Sequence, residues 1–167
     1  MTNERRRTGD DSEKKILEHL IAASGKEPKF KKGDTAPDFA ITTTTGRAIS
    51  LTHLRGQIVV LHFWATSCGP CLGQMPAHIA VLAKHDQKEV EVVFVSLDDD
   101  AKKFESTVEK FKMPFKNVRD ERRWGGELTR AFGVNFMPFD VVIDAEGKIA
   151  SKSIDDIAEM LASSPAR

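Results

Sequence analysis

The sequence predicts an α/β fold, a three-layer sandwich built on a central mixed sheet. Three observations carry that expectation. From Phe30 onward, strand-like and helix-like segments alternate along the chain. Two of the strand-like segments, QIVVLHFWA and VEVVFVSLD, are near-continuous apolar runs, as strands covered on both faces must be. The segments between them repeat apolar residues at helical spacing. The chain has 167 residues, 40% of them hydrophobic, enough for one domain with a proper core. Its 25 basic and 25 acidic side chains cancel, so no nucleic-acid partner is expected. No apolar run approaches the ~20 residues of a transmembrane helix, so no membrane span is expected in this chain. Two cysteines are too few for a disulfide scaffold, and stability must come from packing.

Residues 1–31 read as an N-terminal arm. Asp10 and Glu13 have capping-box spacing ahead of Ile16, Leu17, Leu20 and Ile21, with Gly25 as a stop, which predicts a short amphipathic helix. The arm starts with basic residues but has no apolar stretch behind them, so it does not read as a secretory leader. Residues 32–162 form the predicted domain and 163–167 a tail. DFAITTTTGRAISL is two short strands around a turn at Thr45–Gly46–Arg47. QIVVLHFWA follows, then a helix from Gly69 to about Asp86 that Pro76 is expected to kink. VEVVFVSLD is the next strand, and Ala101–Lys112 is a helix with Phe104, Val108 and Phe111 on one stripe. GGELTRAFGV gives a short helix. PFDVVIDAEGKIAS is a hairpin turning at residues 145–148, and Ser153–Ala162 is the last helix.

FWATSCGPC holds both cysteines, Cys68 and Cys71. Such a pair can be a redox couple, half of a zinc site, or two core residues. The spacing predicts that Cys68 leaves a buried strand and opens a helix, where unpaired N–H groups and the helix dipole favour an anion. A thiolate is that anion, and it is the reactive form of cysteine. Lowering a thiol pKa from about 8.5 to about 7 raises the thiolate fraction at pH 7 from roughly 3% to roughly 50%. Cys71, one turn later, is placed to attack a mixed disulfide at Cys68 and release the partner. Gly69 permits a tight start, and Pro70 lacks only an N–H that the first helical turn leaves unused. C-x-x-C between a buried strand and a helix is a strong signal for redox chemistry.

With GDTAPDF upstream and GVNFMPFDVVIDAEGKI downstream, FWATSCGPC resembles the thioredoxin superfamily, and within it the TlpA/ResA-like thiol–disulfide oxidoreductases. The resemblance runs from about Lys32 to Leu161. It implies a thioredoxin-like sandwich with an added N-terminal strand pair, and exchange with protein disulfides, often in cytochrome c maturation or on other extracytoplasmic thiols. It also implies that Pro138 is cis and faces the two sulfurs, with Met137 offering backbone hydrogen bonds to an extended substrate. Phe136, Met137 and Phe139 stand where relatives carry smaller or hydroxyl residues. They form an apolar substrate rim, or Phe139 faces the core. Trp64 shields the disulfide, or only packs. His62 lies where thioredoxins carry a buried acid. Alternation puts it on one strand face with Val60 and Trp64. It is a proton relay to the second cysteine, or a core histidine satisfied by a backbone carbonyl. Gln74 replaces an active-site glutamate of ResA-like members and cannot titrate.

The function expected is therefore dithiol–disulfide exchange, with Cys68 as nucleophile and Cys71 as resolver, acting as a reductant because Gly69–Pro70 matches thioredoxin. The partners expected are protein dithiols or disulfides and an upstream thiol donor, with no cofactor and no metal. Two alternatives stand beside it. Peroxiredoxins also open with G-x-x-A-P-x-F, but the chain lacks their Thr-x-x-Cys site. A metal carrier or adaptor would need further ligands, and copper-carrying relatives space their cysteines one residue wider. His78 and His85 are expected at the solvent, and Arg119, Arg122, Arg123 and Trp124 in a solvated loop. GDTAPDF is expected to anchor the added strands through Pro37 and Phe39. The family resemblance favours a periplasmic setting, and the leaderless start a cytoplasmic one.

Overall fold

The computed structural model describes residues 30–163, so the expected arm helix between Asp10 and Gly25 lies outside the described residues, as does the tail beyond Ser163. Five strands form the central sheet in the order β5-β4-β3-β6-β7. They are β3 (Ile58–Trp64), β4 (Val90–Ser96), β5 (Lys116–Arg119), β6 (Phe139–Ile143) and β7 (Ile149–Ser151). β3, β4 and β5 run parallel, and β6 and β7 are antiparallel additions. The expected strand pair, β1 (Ala40–Thr42) and β2 (Ala48–Ser50), forms a separate two-stranded sheet. Its turn needs Gly46, whose φ of 81° lies in the left-handed region.

β3 and β4 are buried at all seven positions each, which accounts for their near-continuous apolar runs. Their alternate side chains feed two cores. One contains Val59, Leu61 and Phe63 with Phe39, Leu51, Leu128 and Phe132, so it lies under the β1–β2 hairpin and helix α3 (Glu127–Ala131). The other contains Val60, Trp64 and Phe94 with Cys71, Met75, Phe104 and Ile157. It lies under helices α1 (Gly69–Leu82), α2 (Ala101–Lys110) and α4 (Ile157–Ser163). Each such side chain contributes about 1.5–3 kcal/mol of burial. The GDTAPDF segment is tied to the β6–β7 hairpin: Gly33 N–H donates to Ile149 O (2.8 Å) and Ala36 N–H to Gly147 O (3.0 Å). Phe39 packs edge-on against Phe132.

α1 contains Pro76 within its span, and one element differs from the sequence reading. β5 occupies Lys116–Arg119, where the sequence predicts no strand. KNVR has no apolar alternation of its own, and it becomes a strand by extending the parallel ladder of β4 from Val93↔Lys116 to Ser96↔Arg119.

Candidate active site

The site begins where β3 stops. Cys68 is the N-cap of α1, with extended backbone (φ −90°, ψ 98°), and its N–H donates to Ala65 O (3.1 Å). Its sulfur accepts the N–H of Cys71 at 3.2 Å, one of the donors that a helix start leaves without a backbone partner. Pro70 occupies the first turn, where its missing N–H costs nothing. The two cysteines are joined as a disulfide. They are not equivalent. Cys71 is 0% exposed and belongs to the core, whereas Cys68 is half-buried and flanked by exposed Ser67, Gly69 and Pro70.

A side chain that the sequence reading passed over fixes the turn before Cys68. Asp98, just past β4, is 5% exposed. Its carboxylate accepts the Thr66 N–H on both oxygens (3.0 and 3.1 Å) and the hydroxyls of Thr66 and Ser96 (both 2.6 Å). Because β3 and β4 are parallel, their C-terminal exits lie side by side, and Asp98 straps one to the other. The S-x-D pattern ending an apolar run is the signal that could have found it. Arg123 Nε–H donates to Leu97 O (3.1 Å) and Arg119 Nη1–H to the carbonyls of Asp98 and Asp99 (both 3.4 Å). These arginines, expected to be solvated, thus hold the Asp98 loop. Trp124 beside them is 42% exposed.

The Met137–Pro138 peptide bond is cis. Met137 is half-buried and packs against both cores, Phe139 is a core residue, and Phe136 is 36% exposed with its ring 5.1 Å from that of Phe139. Trp64 is fully buried, 6.0 Å from the Phe104 ring, in the same core as Cys71. Gln74 is exposed.

His62 is fully buried, and its Nδ1 lies 2.6 Å from the carboxylate Oδ1 of Asp140. The partner is a side chain, not the backbone carbonyl considered above. Antiparallel pairing of β3 with β6 sets His62 opposite Asp140. His78 is half-buried, not solvated: seven residues past Cys71, it continues the sheet-facing row of Cys71, Met75 and Leu82. Its ring stands edge-on to that of His62, centroids 5.0 Å apart. Burial lowers the His78 pKa, and the charge of His62 adds to that, against smaller opposing effects of Asp140 and Asp155. No cluster of three metal-ligating groups occurs among the described residues. A cavity of about 500 Å³ lies at the other end of the sheet, lined by Leu82, Val90, Val108 and Phe115, and touches none of these groups.

The chain is similar to known thiol–disulfide oxidoreductases in sequence and in fold. The model of the Redoxin family matches residues 31–163. The thiol-disulfide oxidoreductase ResA of Bacillus thuringiensis subsp. konkukian is 32% identical over 124 residues, 74% of this chain and 70% of that protein. A secreted Mycobacterium tuberculosis disulfide oxidoreductase, homologous to E. coli DsbE, superposes with a TM-score of 0.61 at 26% identity, covering 75% of this chain and 96% of that one. The thioredoxin domain of a thiol-disulfide oxidoreductase from Bacteroides vulgatus superposes with a TM-score of 0.69 at 21% identity, covering 80% and 97%, and shares the fold.

Proposed function

The chain belongs to the Redoxin family and is a thiol–disulfide oxidoreductase of thioredoxin-like fold, and on that premise we propose that it reduces protein disulfides through Cys68 as nucleophile and Cys71 as resolver. The observation that carries the division of roles is the unequal setting of the two sulfurs. Cys68 is accessible and receives a helix-terminal N–H, whereas Cys71 is sealed in the core. A donor aimed at the sulfur favours its thiolate form, the form that attacks. An incoming disulfide meets Cys68 alone.

The reaction then runs in two exchanges. The Cys68 thiolate attacks one sulfur of the substrate disulfide, forming a mixed disulfide and releasing one substrate thiolate. The Cys71 thiolate next attacks Cys68, which closes the Cys68–Cys71 bond and releases the second substrate thiolate. Two electrons pass from the chain to the substrate, and an upstream thiol donor restores the dithiol. Pro138 and the Met137 backbone line the approach to Cys68, and Phe136 supplies an apolar rim for an extended segment. Trp64 backs the pair from the core side, and Gly69 and Pro70 leave the sulfur open to a partner. His62 handles the proton of Cys71.

The test is catalysed reduction of insulin by dithiothreitol. The chain accelerates precipitation of the insulin B chain, and Cys68→Ser abolishes the acceleration. The direction of electron flow is tested by the equilibrium potential. A value near that of thioredoxin, about −270 mV, fits a reductant, and one above about −180 mV overturns that direction.

A further inference from the structure

Two large hydrophobic side chains are exposed among the described residues, Phe136 and Trp124. The substrate rim accounts for Phe136 and leaves Trp124 without a role. We infer that Trp124 is a second anchor for the protein substrate, on the opposite side of Cys68 from Phe136. It takes an aromatic or large aliphatic residue about three positions from the substrate cysteine. The inference rests on Cys68 being the nucleophile of a disulfide reductase.

The sheet places both rings at the end where the cysteines lie. Phe139, which opens β6, pairs with Phe63 of β3. Trp64, which closes β3, pairs with Ser96 at the close of β4, and Ser96 pairs with Arg119 at the close of β5. One row of residues therefore crosses the sheet, and four segments meet it from the same end. They are residues 136–138 before β6, 65–68 after β3, 97–100 after β4 and 120–124 after β5. Neighbouring strands lie about 4.8 Å apart, so the start of β6 is about 5 Å from the exit of β3, and the exit of β5 is about 10 Å away on the other side. An extended chain advances about 3.3 Å per residue. A substrate with its cysteine at Cys68 thus reaches the Phe136 side within about two residues, and the Trp124 side about three residues the other way. Hydrogen bonds tie that side to the turn carrying Cys68. Asp98 holds the Thr66 N–H, and the adjacent Leu97 O accepts Nε–H of Arg123, the neighbour of Trp124.

The loop holds Trp124 in place before any partner arrives, which lowers the ordering cost of binding. Asp120 N–H donates to Ser96 O (2.8 Å), carrying the β4–β5 ladder past Arg119. The Thr129 hydroxyl, 1% exposed, lies 3.0, 3.2 and 2.9 Å from the carbonyl oxygens of Arg123, Trp124 and Gly126. Arg123 has a φ of 53°, uncommon for a residue with a side chain, and its bond to Leu97 O holds it there. The charges of the loop are matched locally. Arg119 faces Glu121 at 2.5 Å, Arg123 faces Asp99 at 3.4 Å, and Arg122 faces Asp120 at 3.8 Å. What the loop leaves for a partner is the indole ring. Tryptophan is enriched among the side chains that dominate binding energy. A ring on either side of Cys68 fits a polypeptide segment with apolar residues on both sides of its cysteine.

Single-cysteine peptides activated with Ellman's reagent test this. The Cys68 thiolate of the reduced chain attacks the peptide sulfur and forms a mixed disulfide. Thionitrobenzoate leaves with the electron pair, and its absorbance reports the rate. One phenylalanine is moved through a Gly/Ser background, up to about five residues on either side of the cysteine. With the unaltered chain, phenylalanine about three residues away on one side raises the second-order rate constant by about fivefold, the effect of one apolar contact. Trp124→Ala removes that gain and Trp124→Phe keeps it. Neither variant changes the rate with the phenylalanine-free peptide or with Ellman's reagent by more than about twofold. In Cys71→Ser, which traps the adduct, tryptophan emission shifts to the blue with the phenylalanine peptide, and adding Trp124→Phe removes the shift. A gain that survives Trp124→Ala, equal slowing of every peptide in that variant, or no gain at any position with the unaltered chain would each overturn the anchor and leave the oxidoreductase reading intact. An unaltered chain that releases thionitrobenzoate from none of the peptides would refute that reading, and the anchor with it.

Discussion

Replacing Asp98 by alanine should damage both the stability and the reactivity of the site. Its carboxylate is the acceptor for three donors: the Thr66 N–H, the Thr66 hydroxyl and the Ser96 hydroxyl. A buried donor stripped of its partner costs about 1–3 kcal/mol. Thr66 is half-buried and recovers part of that loss from water. We expect Asp98→Ala to lose about 2–4 kcal/mol, against a total of about 5–15 kcal/mol for a domain. Asp98→Asn retains one oxygen acceptor but turns an amide N–H₂ toward a donor, and should lose about 1–2 kcal/mol. Urea unfolding of the oxidised proteins reads this as a lower midpoint at constant slope. The second readout is iodoacetamide alkylation of the reduced chain. The Ala65–Ser67 turn, freed from β4, no longer holds the Cys68 sulfur at the Cys71 N–H, and alkylation of Cys68 at neutral pH should slow severalfold. A loss below about 0.5 kcal/mol, the range of an inconsequential surface change, together with unchanged alkylation, would refute the strap.

Two further outcomes are expected. The His78 pKa is lowered in the fold, so the unfolded chain binds the proton more readily than the native chain does. The stability that neutral His78 contributes is therefore present above its ordinary value of about 6.5 and is lost as pH falls from there toward the lowered folded value. Urea midpoints measured from pH 7.5 to 5 should fall less in His78→Gln than in the unaltered chain, and parallel curves would contradict this. Phe136→Ala removes a ring that is 36% exposed and packs edge-on to Phe139, so stability should fall by about 1 kcal/mol. KM for a protein disulfide should rise about fivefold, the effect of losing a contact worth about 1 kcal/mol, while the rate with Ellman's reagent stays the same. An unchanged KM would remove Phe136 from the substrate rim.

The parts of the molecule legible in the sequence are those that local pattern controls. β3 and β4 are covered on both faces, so their apolar runs are nearly continuous. The first turn of α1 is written in Cys68–Gly69–Pro70, and the β1–β2 turn in Gly46. What escaped depends on pairing between distant segments. β5 is a strand only because β4 offers it a ladder. The partner of His62 is 78 residues away, and finding it requires the β3–β6 register. Alternation of Phe139, Asp140 and Val141 does place Asp140 on the opposite face from its neighbours, so the signal was present once β6 was known to adjoin β3. His78 needed only helical arithmetic from Cys71, since a residue seven positions on returns to the same face of the helix. Asp98 is flagged locally by S-x-D at the end of an apolar run, but its strap to Thr66, 32 residues away, requires the parallel pairing of β3 with β4.

The central claim is that the exposed sulfur attacks and the buried one resolves. It is tested most directly by trapping the mixed disulfide. Cys71→Ser, reduced and mixed with oxidised insulin, should accumulate a covalent adduct that peptide mapping by mass spectrometry assigns to Cys68. Cys68→Ser should form almost none. An adduct on Cys71 of Cys68→Ser, formed as fast as that on Cys68, would contradict the account.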